Sequence, residues 1–231
     1  LQGLDSGQNE RRLMRDAIDR GEDVQVVLRN YRKDGTLFWN ELSVSPVRDG
    51  SGRITHFVGI QNDITERKRQ EAELAHRATH DSLTDLPSRE TLQDRLQQAL
   101  TLSRRSGRTV GVLFIDLDQF KTINDSLGHD QGDQLLREVA KRLAEALRAG
   151  DSVCRLGSDE FVAVLPDLHR PDDVVAVAEH LLADLSRPYL MDGQAVHLTC
   201  SIGVALATPE TLSPSQLIGH ADLAMFAAKK A

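Results

Sequence analysis

The residues best suited to chemistry lie in Arg155-Leu156-Gly157-Ser158-Asp159-Glu160-Phe161, where two carboxylates stand side by side between apolar, alternating runs. Ser152-Val153-Cys154 before and Phe161 to Leu165 after read as strands, so the stretch between them is predicted to be the tip of a β-hairpin. Adjacent carboxylates repel each other, and a bare turn gains nothing from the pair. A cation or a positively polarised substrate accounts for it. A second acidic group follows Val110-Gly111-Val112-Leu113-Phe114-Ile115, a run expected of a strand buried on both faces, which ends in Asp116-Leu117-Asp118-Gln119-Phe120-Lys121. Facing each other, the two groups make an all-oxygen site suited to Mg²⁺. Taken singly, Asp116 and Asp118 read equally well as solvated strand-end residues.

Elements of regular pattern must hold these groups. A helix is expected over Thr91–Arg104, then the strand Val110–Asp116, then a helix over Asp133–Arg148 with Leu135, Leu136, Val139, Leu143 and Leu147 at amphipathic spacing. The hairpin follows, then a helix over Asp172–Leu185, a strand over Val196–Leu206 and a last helix from Pro214. This alternation predicts an α/β (α+β) domain, a mixed sheet flanked by helices. Residues 1–66 read as a smaller α+β unit: a helix over Glu10–Arg20 stopped by Gly21, then strands at Val24–Arg32, Leu37–Val47 and Ile54–Gln61 joined by hairpin turns. Alone it is too short to bury much apolar surface. Residues 67–80 are charged and lack Gly and Pro, and read either as a solvated linker helix or as a dimer-forming signalling helix.

The second domain resembles the GGDEF family, the diguanylate cyclases. The residues that carry the resemblance are Asp81-Ser82-Leu83-Thr84-Asp85-Leu86-Pro87-Ser88-Arg89, the run Phe114 to Lys121, Asn124, Gly128-His129-Asp130-Gln131-Gly132-Asp133, the hairpin tip, Ser201-Ile202-Gly203-Val204-Ala205 and Ala221-Asp222-Leu223-Ala224-Met225-Phe226-Ala227-Ala228-Lys229. It covers residues 78–231, with the domain itself placed at 81–231. It implies a nucleotidyl-cyclase-like fold and the condensation of two GTP into cyclic di-GMP and two pyrophosphates by a homodimer, since each domain presents one GTP.

By the same resemblance, Mg²⁺ or Mn²⁺ would be held by Asp116, the backbone carbonyl of Leu117 and Asp159. Glu160 would activate the attacking hydroxyl or hold a second metal. Lys121, Lys229 and the backbone around Phe120 would meet the phosphates, with Gly157 and Ser158 in the turn beside them, and Asn124 and Asp133 would read the guanine edge. As bland readings, Asn124 and Asp133 are capping residues and Lys121 a surface lysine. Arg148-Ala149-Gly150-Asp151 stands at the family's spacing for an inhibitory product site, so feedback by cyclic di-GMP through Arg148 and Asp151 is expected. Ser158 departs from the pattern, which has glycine there. With a positive φ expected in this turn, the serine is expected to strain it by roughly 1 kcal/mol and to weaken activity without abolishing it. The family's arginine beyond the last helix would fall past Ala231, so a phosphate contact is expected to be missing from a truncated tail.

Residues 1–66 resemble the C-terminal half of a PAS domain of the light-oxygen-voltage type, on Leu1-Gln2-Gly3, Arg15, Asn30-Tyr31-Arg32-Lys33-Asp34-Gly35, Phe38-Trp39-Asn40, Phe57-Val58-Gly59-Ile60-Gln61 and Asp63-Ile64-Thr65. The resemblance implies that Gln2, Asn30, Asn40 and Gln61 would hydrogen-bond a flavin (FMN) and Arg15 its phosphate, in the complete sensor domain only. The bland reading makes Asn30 and Asn40 edge or turn residues of a ligand-free sensor.

Composition bounds these readings. With 231 residues, 40% hydrophobic and 27% charged, there is room for one large or two small cores. A net charge of −7 argues against a general nucleic-acid binder, which needs a basic face, but not against a nucleotide whose charge a metal offsets. No apolar run is long enough to span a bilayer, and no signal peptide is expected. Cys154 and Cys200 lie in strand patterns and read as buried reduced thiols, which fits a cytoplasmic setting. The alternative from another class is a catalytically weak module that binds GTP or cyclic di-GMP and signals without turnover.

Overall fold

The computed structural model describes residues 7–208, 211 and 213–230, which fall into two units, residues 1–76 and 77–231. In the first, helix α1 (Asn9–Arg20) ends on Gly21, whose φ of 69° is the left-handed conformation that glycine adopts without a Cβ penalty. Strands β1 (Val24–Tyr31), β2 (Leu37–Arg48) and β3 (Ile54–Asp63) form an antiparallel meander in that order. Val26, Leu28 and Asn30 of β1 and Asn40 and Val44 of β2 are buried with Ala17 of α1, while β3 is exposed along almost its whole length. Helix α2 (Thr65–Thr79) buries none of its side chains.

The second unit is built on β4 (Thr109–Leu117), whose continuous apolar run is buried on both faces. Its side chains alternate. Leu113, Ile115 and Leu117 join one core with Phe161, Ala163 and Leu165 of β6 (Glu160–Leu168), under helices α5 (His129–Ala146) and α6 (Asp173–Leu185). Val110, Val112 and Phe114 join another with Val162 and Val164, under α3 (Arg89–Ser106) and α7 (Pro214–Ala228). By the same alternation the next residue of β4, Asp116, and the first of β6, Glu160, share the α3/α7 face at one end of the sheet.

The sheet order is β5 (Ser152–Arg155), β6, β4, β9 (Cys200–Leu206), and each neighbouring pair is antiparallel. This corrects the expected mixture of parallel and antiparallel pairs. β4 and β5 run the same way, as do β6 and β9, but each crossover skips one strand, so parallel strands never become neighbours. The strand expected over Val196–Leu206 is divided: β7 (Tyr189–Met191) and β8 (Gln194–Val196) make a separate hairpin before β9. An unanticipated helix α4 (Phe120–Leu127) precedes α5, which begins at His129 and not at Asp133.

Helix α7 crosses β9 at Gly203, where an added Cβ would stand 2.1 Å from both Ala221 O and Met225 N. Backbone cannot yield as a side-chain tip can. Gly203→Ala is therefore expected to destabilise the protein by ~3 kcal/mol or more, as read by chemical denaturation, because α7 must lift from the sheet.

Candidate functional site

Asp116 and Glu160 are directly opposed in the β4–β6 ladder, so their side chains stand side by side on one face. The turn between β5 and β6 is closed by Leu156 N–H donating to Glu160 O at 2.8 Å, and the Leu117 N–H takes the Asp159 carbonyl at 3.1 Å, which ties the tip to the end of β4. Arg155 reaches across the turn to Ser158 O at 2.8 Å and to Asp81 Oδ1 at 3.5 Å. Burial pushes the Asp81 carboxyl up, but hydrogen bonds from Thr84 and the charge of Arg155 outweigh it and hold the group below its ordinary value. Asp81 and Arg155 are thus a clip on the acidic turn. The signal for it in the sequence was a lone arginine at the turn's entry, without a visible partner.

Neither Gly157 nor Ser158 has a positive φ. The strain expected of Ser158 is therefore absent: the turn closes through backbone bonds and the Arg155 clip, without a left-handed residue at either position. The Ser158 hydroxyl donates to the Asp159 carboxylate. A Cβ at Gly157 would come within 3.2 Å of Glu160 Oε2, so the glutamate tip would have to shift by a few tenths of an ångström.

The carboxylates crowd one another. Burial pushes Asp116 up, against the nearby Lys229 ammonium, with repulsion from Asp159 and Asp118 added. Glu160 is raised by burial and by Asp116, Asp159 and Asp222. The Lys229 ammonium at the end of α7 donates to Asp116. No group of three or more His, Cys, Asp or Glu among the described residues is gathered closely enough to hold a metal by itself. The donor set nonetheless fits a hard divalent cation, since two opposed carboxylates with raised proton affinity and a third at the tip are oxygen ligands short of positive charge. Asp118 is not part of it: its oxygens accept from Thr199 Oγ1 at 2.7 Å and Ser201 Oγ at 2.8 Å.

Beyond Asp118 the chain turns through Gln119, a non-glycine residue at φ 55°, into α4, whose first turn has no side-chain cap. Phe120 is buried in the α5/α6 core and Lys121 is exposed. Asn124 and Asp133 lie on either side of the α4–α5 junction, and neither caps α5, whose N-cap is Gly128. Asn124 Oδ1 is buried with no hydrogen-bond partner among the described residues, and Asp133 is exposed. The capping reading of these two residues is thereby set aside.

Arg148 and Asp151 lie away from this cluster. Arg148 Nε donates to Asp151 Oδ1 at 3.0 Å and its Nη2 to Asp167 O at 2.9 Å. Both residues line a cavity of about 390 Å³ with Leu165, Leu168, Val177 and His180. In the first unit, Asn30, on the edge strand β1, and Asn40, on the central strand β2, are both buried on one sheet face, and Asn40 Oδ1 has no partner among the described residues. Arg15 and Gln61 are exposed, and Gln2 lies outside the described residues. Both thiols are buried, which pushes each up to about 12. No helix of the described residues is long and apolar enough to cross a membrane.

Comparison with known proteins gives the chain's relatives. Residues 78–231 match the family model "Diguanylate cyclase, GGDEF domain", and residues 3–66 match a PAS domain model. Over 165 residues the chain is 43% identical to the bifunctional diguanylate cyclase/cyclic di-GMP phosphodiesterase MucR of Pseudomonas aeruginosa, covering 71% of this chain and 24% of MucR. Over 162 residues it is 42% identical to the diguanylate cyclase TpbB of the same organism, covering 70% of this chain and 37% of TpbB. The chain thus spans well under half the length of these relatives. The solved GGDEF domain of DgcB from Caulobacter crescentus, in complex with c-di-GMP, superposes with a TM-score of 0.61 at 29% identity, covering 66% of this chain and 91% of that one.

Because Glu160 is raised above its ordinary 4.5, its contribution to stability is present below that pH and is lost as the pH rises through the folded value. Glu160→Gln is accordingly expected to melt higher than the parent at pH 7, with the gap closing towards pH 4.5. Paired melting curves across that range check it.

Proposed function

The chain belongs to the diguanylate cyclase GGDEF-domain family, and from that premise we propose that it condenses two molecules of GTP into cyclic di-GMP. The observation that carries the reading is the opposition of Asp116 and Glu160 at the sheet end, with Asp159 at the tip and the Lys229 ammonium beside them. In each half-reaction the 3′-hydroxyl oxygen of one GTP attacks the α-phosphorus of the other. The bond to the β-phosphate breaks, pyrophosphate leaves with that electron pair, and the hydroxyl proton passes to Glu160. The carboxyl's raised proton affinity suits this role.

Asp116, the Leu117 carbonyl and Asp159 would hold Mg²⁺ or Mn²⁺, with Glu160 in reach of a second ion. A bound cation would stabilise the charge that builds on the phosphates and the leaving group. Lys229 and Lys121 offer ammonium groups to the triphosphate, and the uncapped first turn of α4 offers backbone N–H groups. Asn124 and the exposed Asp133 present an amide and a carboxylate suited to the guanine edge.

Each domain supplies one set of these groups, so two copies must face each other for the reaction to complete, and the active species in this reading is a homodimer. The PAS-type unit would set the approach of the two domains through α2, a helix with no side chain in the core. Arg148 and Asp151, on a cavity that neither Asp116, Asp159 nor Glu160 lines, support product inhibition by cyclic di-GMP. The buried Asn30 and Asn40 would offer amides to a flavin in the PAS-type unit.

Incubated with GTP and Mg²⁺, the chain is expected to release two pyrophosphates per cyclic di-GMP, and Glu160→Gln to lower that rate at least about a hundred-fold. Chromatographic product analysis reads both. GTP bound without product would favour the non-catalytic binding module.

A further inference from the structure

Gly132 lies near the start of α5, and its backbone does not require glycine, since its φ is outside the left-handed region. In a helix, glycine is in fact less favourable than alanine. The requirement is spatial. A Cβ at this position would stand 1.7 Å from Asn124 Oδ1, 2.9 Å from Asn124 Cγ and 3.4 Å from Phe120 Cζ. The Asn124 carboxamide therefore occupies the space that a side chain at 132 would fill.

That carboxamide is held without being satisfied. The α4–α5 junction fixes its backbone, with Gly128 N–H donating to Asn124 O at 2.9 Å and Gly132 N–H to Gly128 O at 3.1 Å. Oδ1 is buried and has no partner among the described residues. A desolvated acceptor with no donor is costly unless a ligand supplies one. Guanine carries ring and exocyclic N–H donors on one edge, whereas adenine presents an unprotonated ring nitrogen at the corresponding ring position.

We propose that Gly132 is a positioning residue for base selection: its missing side chain seats the Asn124 carboxamide, whose buried and unpartnered Oδ1 is left to take an N–H donor of guanine when the nucleotide binds. This rests on the cyclase reading above and goes beyond it, because Gly132 touches no substrate and acts only through Asn124. Phe120 is fixed in the core, so the clash created at 132 is relieved by rotating Asn124 away. The fold is left intact.

The test uses 3′-deoxyguanosine and 3′-deoxyadenosine triphosphates with Mg²⁺, which lack the attacking hydroxyl and so report binding without turnover. Kd values are measured for the parent, Gly132→Ala, Asn124→Ala and the double variant, each with a melting curve. Gly132→Ala is expected to lose about ten-fold in preference for guanine over adenine while melting no lower than the parent, as loss of one base hydrogen bond implies. In the Asn124→Ala background it should change the preference no further. Should Gly132→Ala melt lower, recovery in the double variant still supports the contact, and failure to recover overturns it. A guanine preference that survives Gly132→Ala, or a loss repeated in full without Asn124, overturns the inference and leaves the cyclase reading standing. A parent with no preference for guanine overturns both.

Discussion

The register of one ladder governs this molecule. Pairing β4 with β6 sets Asp116 opposite Glu160, and the alternation that buries Val112 and Phe114 on one face and Leu113 and Ile115 on the other carries both carboxylates to the α3/α7 side. A slip of one residue would send the acids to opposite faces and exchange the side chains of β6 between the two core layers. The remaining devices serve that end of the sheet. Arg155 and Asp81 clip the turn, Gly157 leaves room for Glu160, and Gly203 lets α7 approach closely enough for Lys229 to reach Asp116.

The site is a place where the fold gives up stability. Three acids converge on a partly desolvated corner with one ammonium in contact, and both Asp116 and Glu160 are raised as a result. The two apolar layers, with Leu92, Leu96, Leu135, Val139, Leu143 and Phe161 almost fully buried, supply the stability that this repulsion takes away. Left to itself such a corner would be better filled by neutral side chains. Its persistence makes sense if a cation and a polyphosphate enter it during function.

Much of this was legible in the sequence because it is local. The unbroken apolar run of β4 announced burial on both faces, the alternating runs around Asp159 announced a hairpin, and Gly21 announced the end of α1. What failed to show was non-local. Nothing in the order of elements reveals that each crossover skips a strand, so the sheet was expected to mix parallel and antiparallel neighbours. Asp118 resembled Asp116 until Thr199 and Ser201, some eighty positions away, were seen to hold it. The turn at Ser158 departs from expectation because glycine suggested positive φ, which neither Gly157 nor Ser158 adopts. Left-handed backbone falls instead on Gln119, among others, a residue type that gives no warning of it.

The central claim is that the acidic corner is held open for a metal-bound guanine nucleotide, and its most direct test is a melting experiment. The parent and Asp116→Asn are compared with Mg²⁺ alone, with 3′-deoxyguanosine triphosphate alone and with both together. The account predicts a rise in melting temperature for the parent that needs both components, and little or none for Asp116→Asn, since ligand binding to the folded state stabilises by mass action. Equal rises in the two proteins, or a parent indifferent to the pair, would contradict it.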